Sequence, residues 1–268
     1  MVKDKARIKT GLILGILAII SVFYFPNKLF ALLCWLIITV AFWEWLFLIQ
    51  IKTFFYRALC LILFWVLLAV GDHYFMLTLR VAAYFWLIAL VLIFVPKGGL
   101  GFLKNKVLAL IIGVIVLVPT WVAVVELHDR NHLLLFYLVM TVCFADTAAY
   151  FIGSRYGKHK LMPSISPKKS IEGLVGGLVV GVLAGLLEVL FMPDLNAHKI
   201  LAWTLLSIML IMISVLGDLF ESLMKRLYNT KDSGSFLPGH GGFLDRIDSL
   251  TSALPIFFLL CQHLHLFY

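Results

Sequence analysis

Between Leu201 and Arg226 the chain reads LAWTLLSIMLIMISVLGDLFESLMKR. Its first part is uncharged and apolar; Asp218, Glu221, Lys225 and Arg226 then follow in close succession. A helix needs roughly 20 predominantly apolar residues to cross a bilayer core. A carboxylate at the end of such a run is costly in lipid and ordinarily faces a polar cavity with a partner. The stretch therefore predicts a membrane helix that delivers charge to one membrane boundary.

The rest of the chain agrees. It has 268 residues, of which 63% are hydrophobic and 13% charged, and a mean hydropathy of +1.05. Soluble domains hold about 45–50% apolar and about 25% charged residues, so a water-soluble fold is excluded. Nine apolar segments are expected, near 10–25, 29–50, 58–75, 79–95, 107–125, 133–153, 172–192, 200–220 and 249–267. This is the pattern of an all-α polytopic membrane protein with about nine transmembrane helices. Pro26, Pro96 and Pro193 fall at helix ends; Pro119 and Pro255 lie inside segments and predict kinks. No polar linker divides the chain, so 1–268 is read as one integral membrane domain. Residues 1–125 are mostly apolar scaffold, and 126–268 carry the polar loops. The basic stretch Met1–Lys9 precedes an apolar run with no small-residue cleavage site before Pro26, which predicts a retained first helix. Cys34, Cys60, Cys143 and Cys261 show no CxxC or Cys/His metal spacing and read as buried structural thiols.

Orientation follows from where the basic residues fall. With the alternation above, 18 of the 22 Lys and Arg share the face of the N-terminus; only Lys28, Arg80, Arg130 and Lys199 lie on the other. This predicts a cytoplasmic N-terminus and an integral protein of the cytoplasmic (inner) membrane. The two longest cytoplasmic loops are then 154–171 and 221–248, so the polar active site is expected on the cytoplasmic side. Between them, Gly173, Gly177, Gly181 and Gly185 recur every four residues. Small residues at that spacing let two helices approach closely in lipid.

Residue chemistry concentrates in the late loops. Asp218, Ser222 and Lys225 are spaced to share a helix face, as are Asp245 and Asp248. Together the three aspartates are expected to form a carboxylate set that suits Mg²⁺, which takes one or two carboxylates, waters and substrate phosphates. Gly239-His240-Gly241-Gly242 supplies backbone N–H groups able to close on an anion. Lys225, Arg226, Lys231 and Arg246 add positive charge. Carboxylates for a metal plus glycines and cations for phosphates are the parts of a phosphoryl or nucleotidyl transferase. A second cluster runs from Asp146, Tyr150 and Gly153 on one helix face to Lys168 and Lys169 after Pro167. The intramembrane Asp146 is a functional candidate. Glu44, between Trp43 and Trp45, is held as structural, with the tryptophans read as an interfacial belt.

The spacing Ser222-x2-Lys225-Arg226-x4-Lys231-Asp232-x5-Pro238-x-His240-Gly241-Gly242-x2-Asp245-Arg246-x-Asp248 resembles the signature of the phosphatidate cytidylyltransferases, also called CDP-diacylglycerol synthases. The runs Asp146-x2-Ala149-Tyr150-x2-Gly153 and Ser166-Pro167-Lys168-Lys169-Ser170-x-Glu172-Gly173 resemble that family's upstream blocks, and Trp43-Glu44-Trp45 one near its N-terminus.

The resemblance implies synthesis of CDP-diacylglycerol and pyrophosphate from CTP and phosphatidic acid, in phospholipid biosynthesis. It implies Mg²⁺, with a second cation left open. Asp218 and Asp245 are then the leading metal ligands, with Asp248 and Asp146 behind them. Asp218, Lys225, His240, Asp245 and Asp248 are the expected catalytic set. Ser222, Arg226, Lys231, Gly241, Gly242, Arg246, Lys168 and Lys169 are expected to bind substrate phosphates. The expected partners are CTP, phosphatidic acid and membrane lipid, not nucleic acid; a homodimer stays open. The Asp-Gly-x2-Ala-Arg pattern of the CDP-alcohol phosphotransferases does not occur. The remaining alternative is a membrane transporter of a phosphorylated or anionic substrate, for which kinked helices, the glycine stripe and Asp146 would serve.

Overall fold

The computed structural model describes residues 15–190, 196–231, 233–234 and 242–267. Among these residues eight α-helices follow one another. They are α1 (Gly15–Tyr24), α2 (Asn27–Leu48), α3 (Phe54–His73), α4 (Phe75–Leu92), α5 (Lys106–Tyr156), α6 (Ile171–Val189), α7 (Ala197–Leu227) and α8 (Leu244–His263). A 3₁₀ helix, Lys97–Lys104, precedes α5. Among the described residues, five helices (α2, α3, α4, α5 and α7) are long and apolar enough to cross a membrane by length and composition.

α5 is the centre, packing against α2, α3, α4, α6, α7 and α8. Its 51 residues leave helical φ/ψ only at Asn131 (φ −160°, ψ 95°), not at Pro119. Asn131 acts as an N-cap: its side-chain oxygen accepts the N–H groups of Leu133 and Leu134. The helix thus restarts there, and its two halves correspond to two expected segments. Pro119 lies in helical backbone and Pro255 inside α8, so neither interrupts its helix as a break. Pro26 and Pro96 stand at element starts as expected; Pro193 lies outside the described residues.

Contacts sort the helix ends into two groups. At one end the Trp45 indole donates to Ala109 O, Gln50 Nε2 to Tyr228 O, and Tyr228 Oη to Leu103 O. At the other, His128 hydrogen-bonds Val22 O, Asn27 bonds Asp129, and the Arg130 guanidinium lies over Phe75, Phe258 and Phe267. The bundle interior is aromatic: Trp45, Trp86, Tyr137, Phe42, Phe64, Phe220, Phe257 and Phe258 are fully buried. Outward faces stay apolar, as at Val175, Val179, Leu183 and Leu187 on α6. Such faces have no partner in water and are suited to lipid.

The glycine stripe does what its spacing predicts. A Cβ on Gly173 or Gly177 would come within 2.8 Å of the Ala149 and Ala145 carbonyl oxygens of α5. Further along, a Cβ on Gly181 would meet Ala145 Cβ at 2.9 Å and Ile211 at 2.6 Å. α6 is therefore seated on the second half of α5 at backbone distance and against side chains of α7.

The helical class is as expected, with one small addition: Lys160–Met162 (β1) and Ser166–Ser170 (β2) form an antiparallel hairpin, with Lys160 opposite Ser170 and Met162 opposite Ser166. It closes because Ile165 N–H bonds Met162 O, and the Glu172 carboxylate accepts the backbone N–H and ring Nδ1 of His159. Trp45 is buried in the bundle rather than turned outward, because Gly113 leaves room for its indole on α5. Of the four cysteines only Cys261 is buried, and Cys143 faces outward.

Candidate active site

A cavity of about 860 Å³ opens at the end of the bundle that holds the β-hairpin. Asp146, Asp218, Asp245 and Asp248 line it together with Lys160, Lys168, Lys169 and Arg246. Five parts of the chain meet there: the end of α5, the hairpin, the start of α6, the second half of α7 and the start of α8.

Local packing explains the meeting. Gly217 lets α7 and α8 cross closely, since a Cβ there would sit 2.5 Å from Asp248 O and Ser252 Oγ. Ser252 Oγ also donates to Ile213 O at 2.6 Å. This crossing sets Asp218, the next residue on α7, beside Asp248 on α8. Ser249 Oγ donates to Asp146 Oδ2 at 3.0 Å and ties α8 to α5. Gly153 and Gly157, at the end of α5, leave space for Ser170 of β2. The hairpin therefore folds back over the helix ends, and Lys169 Nζ reaches Asp218 Oδ2 at 2.6 Å.

Electrostatics divide the site into two groups. In the first, Asp218 holds Lys169 and accepts from Ser222 Oγ at 3.3 Å. In the second, Lys225 bridges Glu221 at 2.9 Å and Asp245 at 2.7 Å. Asp245 also accepts the N–H of Gly242 at 2.9 Å and of Ser233 at 3.2 Å. Among the described residues, Lys169 thus pairs with Asp218, and Lys225 with Glu221 and Asp245, while Asp146 and Asp248 line the same cavity.

The expected three-carboxylate set is not assembled. Among the described residues no group of three or more His, Cys, Asp or Glu side chains is close enough to share one metal ion. Asp245 is turned to Lys225 and the backbone of 233 and 242, while Asp218 and Asp248 feel each other's charge. The donor chemistry still fits Mg²⁺, which needs only one or two carboxylates beside phosphate oxygens and waters. Lys169 on Asp218 shows a cation already accepted there.

Other expected residues separate likewise. Lys225 shares α7 with Asp218 and Ser222 but is buried on Glu221 and Asp245, away from the cavity wall. Arg226 Nε donates to Ile165 O at 3.2 Å, steadying the hairpin turn. Lys231 is exposed beyond α7 and does not line the cavity. Gly242 approaches Asp245 with its N–H. His240 and Gly241, with Asp232 and Pro238, lie outside the described residues. Lys160, which the second cluster contains without a role, lines the cavity, and Glu221, to which no role was assigned, pairs with Lys225. The signal for Glu221 was its i, i+4 spacing to Lys225, which places an ion pair on one helix face. For Lys160 there was only its position in a basic loop.

The comparisons with known proteins meet this geometry. A family model described as "Cytidylyltransferase family" matches residues 5–264. The phosphatidate cytidylyltransferase of Haemophilus influenzae is 34% identical over 278 aligned positions, covering 94% of this chain and 96% of that protein. The phosphatidate cytidylyltransferase of Pseudomonas aeruginosa is 36% identical over 259 positions, covering 94% and 95% respectively. The protein of the same name from Staphylococcus aureus is 45% identical over 122 residues, 45% of each chain.

Proposed function

The chain belongs to the cytidylyltransferase family, and from that premise we propose that it is a phosphatidate cytidylyltransferase. It converts CTP and phosphatidic acid to CDP-diacylglycerol and pyrophosphate, a step of phospholipid biosynthesis. The observation that carries this reading is the single cavity where Asp146, Asp218, Asp245 and Asp248 face Lys160, Lys168, Lys169 and Arg246 at the end of apolar helices.

The reaction matches that inventory. A phosphate monoester oxygen of phosphatidic acid attacks the α-phosphorus of CTP. The bond from that phosphorus to the bridging oxygen of the β-phosphate breaks, and pyrophosphate leaves with the electron pair. The attacking oxygen is largely ionised near pH 7, because the second pKa of such a monoester is about 6. No strong base is required. Screening of two anions and stabilisation of the leaving group are required, and fixed cations provide both. Lys160, Lys168, Lys169 and Arg246 stand on the wall to do this. Mg²⁺ would be held by Asp218 and Asp248 and would supply further charge neutralisation at the phosphates. Asp245, on the same wall, is held by Lys225. On nucleotide binding, Lys169 is free to exchange Asp218 for a phosphate oxygen.

We place the site at the cytoplasmic boundary of the inner membrane, with nine spans. The 18-to-4 division of basic residues supports the orientation. The break at Asn131 and the two groups of helix-end contacts support an α5 that crosses out and back. Acyl chains then remain among the exposed apolar faces while CTP arrives from the cytoplasm. The test is direct: purified protein, labelled CTP and phosphatidic acid in mixed micelles. Release of pyrophosphate with formation of CDP-diacylglycerol is expected. Absence of both, with CTP intact, refutes the assignment.

A further inference from the structure

Glu44 sits near the end of α2, is 1% exposed, and does not line the cavity. Its Oε2 accepts the backbone N–H of Leu244, the first residue of α8, at 2.8 Å. The first N–H groups of a helix lack partners within it, and negative charge is favoured there. The same carboxylate lies directly against Gly234 and Gly242, where a Cβ on either would collide with its oxygens. One side chain thus touches the backbone on both sides of positions 235–241 and the start of α8.

The residue after Leu244 is Asp245, which takes the N–H groups of Ser233 and Gly242. Glu44 and Asp245 therefore meet the same two stretches of backbone, Asp245 by hydrogen bonds on the cavity wall and Glu44 behind it by its bond to Leu244 and by contact at Gly234 and Gly242. Glu44 is itself held in place. Trp45 Nε1 donates to Ala109 O at 2.9 Å, and Gly113 admits the indole, so the end of α2 is locked to α5.

We propose that Glu44 is a positioning residue for cytidylyl transfer: by holding Gly234, Gly242 and Leu244 it sets Asp245 and Arg246 in place on the cavity wall. The proposal rests on the function assigned above. Displacing catalytic groups by about 1 Å costs on the order of 100-fold in rate.

The experiment compares Glu44→Gln, Glu44→Ala, Gly234→Ala and the Glu44→Ala/Gly234→Ala double variant with wild type in mixed micelles. Gln keeps an acceptor for Leu244, and kcat is expected within about threefold of wild type, the scatter of independent effects. In Glu44→Ala, kcat falls roughly 100-fold, amide exchange at Leu244 accelerates, and KM for phosphatidic acid is unchanged. Gly234→Ala is impaired in wild type but harmless in the Glu44→Ala background, because the carboxylate it strikes is gone. Glu44→Ala with full kcat overturns the proposal. So does a Glu44→Gln variant as impaired as Glu44→Ala, which would put the charge itself in the reaction. Should Glu44→Ala fail to fold, Gly234→Ala decides alone, and wild-type kcat there refutes the clamp. If wild type releases no pyrophosphate, the functional assignment fails, while exchange at Leu244 still tests the clamp.

Discussion

Replacing Lys225 with Met keeps most of the side-chain volume and removes one ammonium group. That group lies 2.9 Å from Glu221 and 2.7 Å from Asp245, and the side chains are 11%, 5% and 12% exposed. The variant leaves two carboxylates out of water without their counter-charge. Removing one partner of a buried ion pair costs about 3–5 kcal/mol. At about 1.4 kcal/mol per decade, the folding equilibrium shifts by roughly a hundred- to several-thousand-fold. The assay is reversible unfolding in mixed micelles of rising SDS fraction, with transfer activity followed in parallel. Adding Glu221→Gln to Lys225→Met removes one of the orphaned charges, and a recovery of about 1–3 kcal/mol is expected from coupled neighbours. A Lys225→Met protein with wild-type stability and a raised KM for CTP would refute the reasoning. Lys225 would then face nucleotide phosphates, as its sequence position suggested, rather than serve as the internal counter-ion of Asp245.

Two further outcomes follow from the same geometry. Asp218→Asn keeps shape but removes a charged hard ligand and the partner of Lys169. A rate loss of at least about 100-fold is expected; near-normal turnover at low Mg²⁺ would dismiss Asp218 as a metal ligand. In a background without native cysteines, an impermeant thiol reagent added outside intact cells is expected to label a cysteine at position 130 and not one at 232. Labelling at 232 alone would reverse the proposed orientation.

How much of this was legible beforehand depends on the range of the interaction involved. Composition, apolar runs and the distribution of Lys and Arg are properties of segments, so the membrane class, the helices and the polar end of the chain could be read directly. The stripe Gly173–Gly185 was legible as a packing face for the same reason: spacing on one helix decides which side is flat. The signature from Ser222 to Asp248 pointed to the right chemistry, because charge and glycine content determine what a loop can bind.

The direction of each charged side chain was not legible. Asp218, Ser222 and Lys225 lie on one helix and could be read as one group. The fold instead gives Asp218 to Lys169 of the hairpin and Lys225 to Asp245 of α8. The bond from Leu244 to Glu44 joins residues 200 positions apart. Sequence alone determined which residues must leave lipid and at which end of the bundle they gather, since transfer free energy depends on residue type and helix position. Tertiary structure alone decided which carboxylate meets which cation. Ion pairing falls off over a few ångströms, and those distances are set by where Gly217, Gly173 and Gly177 let the helices touch.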